Sequence, residues 1–251
     1  MASKSHEYRA LNPERVIDTI QLLRARIHDR FPDSGLSKVC SELEGLANET
    51  KSKIEWIGTP KLWIRLGVGG VIAVMVGILI YTLSTFRVAS GEFNVGDLVQ
   101  ISEAGLNDVV LIGAAIFFLI NVETRIKRSR ALKVLYELRS IAHVIDMHQL
   151  TKDPSRQLAH NTEHSPKSNL TTFQLTRYLD YCSEMLSLTS KVSALYAQVI
   201  DDQVVLQAVN EIEDLTTGLS QKIWQKIMVI KDLSSDERDP AAPDETATPS
   251  A

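Results

Sequence analysis

Hydrophobic and polar positions in this chain alternate with the period of a helix almost from end to end. Asn12-Pro13 reads as a helix start, since Asn caps a helix and Pro suits its first turn. Val16, Ile20, Leu23, Ile27 and Phe31 then recur at steps of four and three, giving one apolar face. Phe31-Pro32-Asp33-Ser34-Gly35 breaks the run, and a second helix is expected along Leu36, Val39, Leu43, Leu46, Ile54 and Ile57, ending at Gly58-Thr59-Pro60. Residues 1–61 therefore read as an N-terminal helical hairpin. It is too small to hold a core alone and has to pack on something else.

Two apolar blocks follow. Residues 62–86 carry one charge, Arg65, and are long enough for a first transmembrane helix, because about 20 apolar residues cross the hydrocarbon layer. Arg65 and Lys61 can reach lipid headgroups, and Trp56 and Trp63 suit the interface at the same end. Residues 87–106 are expected as a short external loop, with Phe93, Val95, Leu98, Val99 and Ile101 forming a short helix in the interface. Residues 107–122 are expected as a second transmembrane helix. Its apolar run from Val109 to Ile120 is short for a bilayer, and Gly105 and Leu106 can extend it.

Past a basic collar of Arg125, Lys127, Arg128 and Arg130, the pattern continues without Gly or Pro as a helical extension over 123–153. Its seam is Leu132, Leu135, Leu138, Ala142, Ile145 and Gln149, with near-heptad steps, and Pro154 ends it. This extension is expected to pack against both the N-terminal hairpin and the C-terminal helices. Residues 154–170 are a polar linker. Thr171 and Gln174 have capping-box spacing, and Leu175, Leu179, Cys182, Leu186, Val192, Tyr196 and Ile200 follow. After Asp201-Asp202 the stripe resumes with Val205, Ala208, Ile212, Leu215, Leu219, Ile223 and Ile227. A C-terminal helical pair over 171–233, with Asp202 capping its second member, is preferred; one continuous coiled-coil helix is the alternative. The tail, 234–251, is acidic and Pro-rich and is expected to be disordered. The fold class is thus all-α: two transmembrane helices with a cytoplasmic helical bundle.

Charge orients this arrangement. Glu92, Asp97, Glu103 and Asp108 face a single Arg87 in the loop, while Lys51, Lys53, Lys61 and the collar flank the other side. That asymmetry places both termini in the cytoplasm. The segment MASKSHEYRALNPER has no apolar stretch, so no cleavable signal peptide is expected there. The formal net charge of -4 speaks against nucleic acid as a partner. Cys40 and Cys182 lie within amphipathic patterns and read as reduced core thiols.

Little of the chain points to chemistry. Arg139, His143 and Asp146 are spaced four and three and share a helix face, as a polar cluster that orients the helix against the hairpin or touches a partner. His148 is five residues from His143, so the two do not share a metal on one straight helix. Gly69, Ala73 and Gly77 form a small-residue face for close helix packing, against the other span or a second copy. His160-Asn161-Thr162-Glu163-His164 spells a metallopeptidase string, but Ser165-Pro166 follows at once and the helix that motif needs is missing from the pattern. There is no phosphate loop, dinucleotide fingerprint or zinc spacing. No catalytic, cofactor-binding or metal-binding residue is assigned, no cofactor is implied, and the chain does not read as an enzyme.

Two stretches, NPERVIDTIQLLRARIHDRFPDSGLSKVC at 12–40 and the run from Asn107 through Arg125 to HVIDMHQLTKDP, resemble a group of uncharacterised bacterial two-pass membrane proteins. The layout is also similar, in topology only, to SLATT-type two-span domains of bacterial conflict systems. The resemblance implies a bacterial inner (plasma) membrane protein and brings no activity or functional residues. The expected function is a membrane-anchored helical scaffold or signalling module, which recruits a cytoplasmic protein partner or assembles as a homo-oligomer in the lipid bilayer. The alternative is an oligomeric pore-forming or channel-like effector. A pore needs a polar lining, and the spans offer only Asn107, Asp108 and Asn121.

Overall fold

Four of the six helices among the described residues begin where side chains satisfy free N–H groups; at the second, Gly35–Gly58, Ser34 Oγ accepts from the Ser37 amide (3.2 Å). The Asn12 side chain accepts from the amides of Glu14 (2.8 Å) and Arg15 (3.3 Å) and starts α1, Pro13–Arg30. Thr171 and Gln174 close a reciprocal capping box at the start of α5, Thr172–Ala197. Asp202 Oδ1 accepts from Val204 (3.0 Å) and Val205 (3.2 Å) and starts α6, Gln203–Asp236. The remaining helices are α2, Gly35–Gly58; α3, Leu62–Val88; and α4, Val95–Leu150. In the connection from α1 to α2, Asp33 takes a left-handed backbone (φ 59°), which a short polar side chain tolerates.

This computed structural model describes residues 10–58, 62–88, 95–152 and 170–236, and no strand occurs among them. The all-α class is therefore as expected. Apart from Leu170, the linker lies outside the described residues, as do the His160–His164 string and residues 237–251 of the tail. Two expected boundaries move. Residues 95–106 are not loop but the first turns of α4, because the apolar positions there continue in helical register into the next block. Residues 234–236 of the tail close α6.

The chain divides into two compact units, Met1–Trp56 with Ala131–Ala251, and Ile57–Arg130. In the first, residues expected as separate segments share one core. Helix α1 runs antiparallel to α5: the Leu11 amide donates to Gln198 Oε1 at one end, and Arg26 pairs with Glu184 towards the other. Helix α2 returns beside α1, with Lys51 on Glu14 and Arg24 on Glu44. The last turns of α4 lie beside α6, linked through Arg139–Glu211 and Gln149–Lys226.

Helix α5 is at the centre of this unit. It buries a wide face, including Leu175, Tyr178, Leu179, Tyr181, Cys182, Met185, Leu186, Leu188, Val192, Leu195 and Tyr196. Phe173, Arg177, Ser187 and Lys191, on the opposite side, are exposed. The α4 extension buries one face, with Ala131, Val134, Leu135, Leu138, Ile141, Ala142, Ile145 and Gln149. The buried face of α2 is Leu36, Cys40, Leu43, Ala47 and Thr50, while Val39 and Leu46 are only half-buried. Cys40 is an expected core thiol, whereas Ala47 and Thr50 lie outside the expected stripe. Both cysteines are free and buried.

The second unit holds α3 and residues 95–130 of α4. Among its described apolar side chains, Leu66, Ile72, Val74 and Ile80 on α3 and Leu106, Val109, Leu111, Phe117 and Phe118 on α4 are all exposed. Among the described residues one helix, over Gly105–Leu150, is long and apolar enough to cross a membrane, and none of its apolar window is buried. In α3, the shorter stretch Gly69–Ile78 is apolar among the described residues.

Candidate interaction site

The polar cluster expected on α4 is rearranged by its neighbours. The Arg139 guanidinium pairs with Glu211 of α6 at 3.0 Å, not with Asp146. Asp146 accepts instead from the Gln149 amide at 2.6 Å. His143 is exposed and joins neither. The spacing thus placed Asp146 in a network, but one whose partners are Gln149 and α6.

That network caps the end of α4. Gln149 is buried, and its side-chain oxygen and backbone carbonyl accept from Lys226 Nζ of α6 at 2.6 and 2.9 Å. The Gln149 carbonyl, which also accepts from the Lys152 amide (3.1 Å), thereby gains a lysine ammonium, with favourable charge at the negative end of the helix dipole. Around it, Lys152 lies over the Tyr178 ring (5.5 Å), and the His148 imidazole lies against the first residue of α2. A Cβ on Gly35 would run into that ring. Burial and the Lys152 charge hold the His148 pKa below the ordinary histidine value.

The other ionisable groups in the core are quiet. Burial pushes the Cys40 thiol up to about 12, helped by Glu44. Burial does the same to Cys182, also to about 12, against the opposing pull of Lys226 and Lys152. A thiol with so little thiolate is no nucleophile at neutral pH. Burial raises Tyr178 and, to about 12, Tyr196, whose hydroxyl lies 3.5 Å from Thr50. Among the described residues no three His, Cys, Asp or Glu side chains converge on a point where a metal would sit.

A second feature escaped sequence reasoning. Between α1 and α5 an open groove of about 520 Å³ is lined by Arg26, Asp29, Arg30, Arg177 and Tyr181. Arg26 lies over the Tyr181 ring (5.9 Å) and is held by both carboxylate oxygens of Glu184, at 2.6 and 3.4 Å. Arg177 contacts Asp180 at 3.3 Å. Arg30 and Arg177 also lie against Phe173, at 5.2 and 6.0 Å from its centroid, and that ring is exposed. Beside it, Phe31 makes edge contacts to Tyr178 and Tyr181, at 5.4 and 6.3 Å. Arg26 and Arg30, four apart on α1, were the only local signal; their partners on α5 are far away in sequence.

In the second unit, Gly69, Ala73 and Gly77 lie on α3 and are exposed, and a Cβ built on either glycine would meet nothing within 4 Å. Asn121 donates to its own helix, at the Phe117 carbonyl (2.8 Å). No family model, no curated protein and no solved structure matches the chain.

Proposed function

We propose that this chain is a two-pass protein of the bacterial inner membrane, with both termini cytoplasmic, whose helical bundle is a docking module for other proteins. The observation that carries the membrane reading is the unburied apolar window of α4. A core helix of a water-soluble protein hides such a surface, whereas here Leu106, Val109, Leu111, Phe117 and Phe118 all face outward. The second span is the apolar helix α3, with Leu66, Ile72, Val74, Ile78 and Ile80 exposed. Lys51, Lys53 and the collar flank the spans on the proposed cytoplasmic side.

The docking role is supported by the first unit: a well-filled bundle whose ionisable core groups are unreactive, and whose polar groups gather in an exposed groove. A pore is the weaker reading, because the Asn121 amide already donates to its own helix and, among the described polar side chains expected to line one, only Asn107, near the start of the span, is also exposed. Reporter fusions at Ser3, Glu92 and Ala251 test the topology. Cytoplasmic signals at both ends and an external signal at Glu92 are expected, and a cytoplasmic signal at Glu92 would sink it. Recovery of the chain in the soluble fraction after alkaline extraction would remove the membrane reading altogether.

A further inference from the structure

Just past its exposed apolar run, α4 is ringed by cations. Successive helix positions advance by about 100°, so Arg125, Lys127, Arg128 and Arg130 leave the helix axis in four different directions. Arg125 and Arg130 are exposed, and Lys127 and Arg128 are half-buried. Residues 123–130 contain one carboxylate, Glu123, which pairs with Lys127 at 2.6 Å, so the segment keeps a net positive charge. The other end of the run is opposite in sign. From Val95 to Val122 the helix has no lysine or arginine, and its acids are Asp97, Glu103 and Asp108.

We propose that this collar binds the phosphates of anionic phospholipids, so that the chain takes such lipids in preference to zwitterionic ones. The proposal rests on the membrane reading above and names the headgroup chemistry at one end of the α4 span.

Depth fits this partner. A helix rises about 1.5 Å per residue, which puts Arg125 about 4.5 Å and Arg130 about 12 Å beyond Val122, the last apolar residue of the run. One headgroup layer is roughly 5–8 Å thick, half the difference between the whole bilayer and its hydrocarbon core. Arginine side chains are long enough to reach back into it from the next turn. The spread of directions fits as well: a protein partner covers one side of a helix, whereas lipid surrounds it. Charge then selects the lipid. A zwitterionic headgroup brings its own cation beside the phosphate and offers clustered cations no net attraction. An anionic headgroup does, and each guanidinium fork holds a phosphate through two N–H donors.

The test uses the full chain, purified in a nonionic detergent and equilibrated with mixed micelles holding phosphatidylcholine and phosphatidylglycerol in equal amounts. Lipid retained on repurification is counted by mass spectrometry. Phosphatidylglycerol should be enriched about fivefold or more, the factor that one cation near an anionic surface contributes. Arg125→Gln and Arg130→Gln should each lower the enrichment, and Arg125→Gln, Lys127→Gln, Arg128→Gln and Arg130→Gln together should remove it. Salt at about 1 M, where the screening length falls to about 3 Å, should weaken it. Should the combined variant fail to insert, the single substitutions and the salt dependence decide. Equal retention of the two lipids would overturn the proposal. So would a preference that survives the substitutions or ignores salt, or release of the retained phosphatidylglycerol by inorganic phosphate at matched ionic strength, which would mark a site for a free anion. Insertion is measured separately by alkaline extraction: a chain extracted as soluble removes the membrane reading, and an inserted chain without lipid preference counts against the collar alone.

Discussion

Leu111 and Leu138 belong to the same helix, yet Leu111 is 68% exposed and Leu138 is 0% exposed. Around Leu138, the apolar face of α4 is covered, as the full burial of Leu135, Ala142 and Ile145 shows. Around Leu111, the chain supplies no cover: Val109, Val110, Phe117 and Phe118 are exposed as well. Helix propensity does not distinguish the two regions. Burying one leucine contributes about 1.5–3 kcal/mol wherever the apolar surroundings come from. In the bundle the neighbouring helices supply them; for the exposed leucines of the second unit, the proposal above assigns that part to lipid.

The largest break in that contrast is Leu138→Ala. Truncation in a packed core costs about 2–5 kcal/mol, so thermal unfolding followed by circular dichroism should show a sharply lower melting temperature. Leu111→Ala should leave the bundle's melting unchanged. Equal effects of the two substitutions would erase the distinction between the units. Lys226→Met comes next. It takes the lysine donor from the buried Gln149 side-chain oxygen, while the Gln149 carbonyl keeps the Lys152 amide, a loss on the order of 1–3 kcal/mol, read as a fall in the denaturation midpoint.

Smaller again is a pH effect from His148. Its pKa in the folded protein lies below the unfolded value, so the unfolded chain binds the proton more readily. The stability it contributes is present above the unfolded pKa and is lost as pH falls through that value, about 6.5, towards the lowered folded one. The parent should therefore lose more melting temperature between neutral pH and pH 5.5 than His148→Gln does; parallel pH profiles would refute the assignment. Arg139→Ala should cost about 0.2–1 kcal/mol, because the pair with Glu211 is about half-exposed. Least of all, His143→Ala should stay within about 0.5 kcal/mol of the parent, as expected for an exposed side chain outside any network. A large loss at His143 would show that α4 has a partner on its outer face.

Much of the local structure was legible because it depends on short-range rules. Asn12-Pro13, Thr171 with Gln174, and Asp202 are capping signals that act within one turn, and each starts a helix where its spacing requires. The stripe from Leu135 to Gln149 is buried for the same reason, since periodicity alone assigns a face. The break between α5 and α6 needed more. No Gly or Pro marks it, and the turn at residues 198–202 is held by the Asp202 cap and by Ile200, which is itself buried.

What the sequence determined by itself is the helical class, most helix starts, and the apolar blocks, because propensity, capping and period are properties of neighbours along the chain. Tertiary structure alone decided that α5 packs against both α1 and α6, since α1 lies far from it along the chain. It also decided that Arg139 turns to Glu211, that Lys226 caps the end of α4, and that Arg26, Arg30 and Arg177 share a groove. Each of these joins residues on different helices. Such pairs are chosen by how the helices pack, and spacing within one helix carries no trace of them.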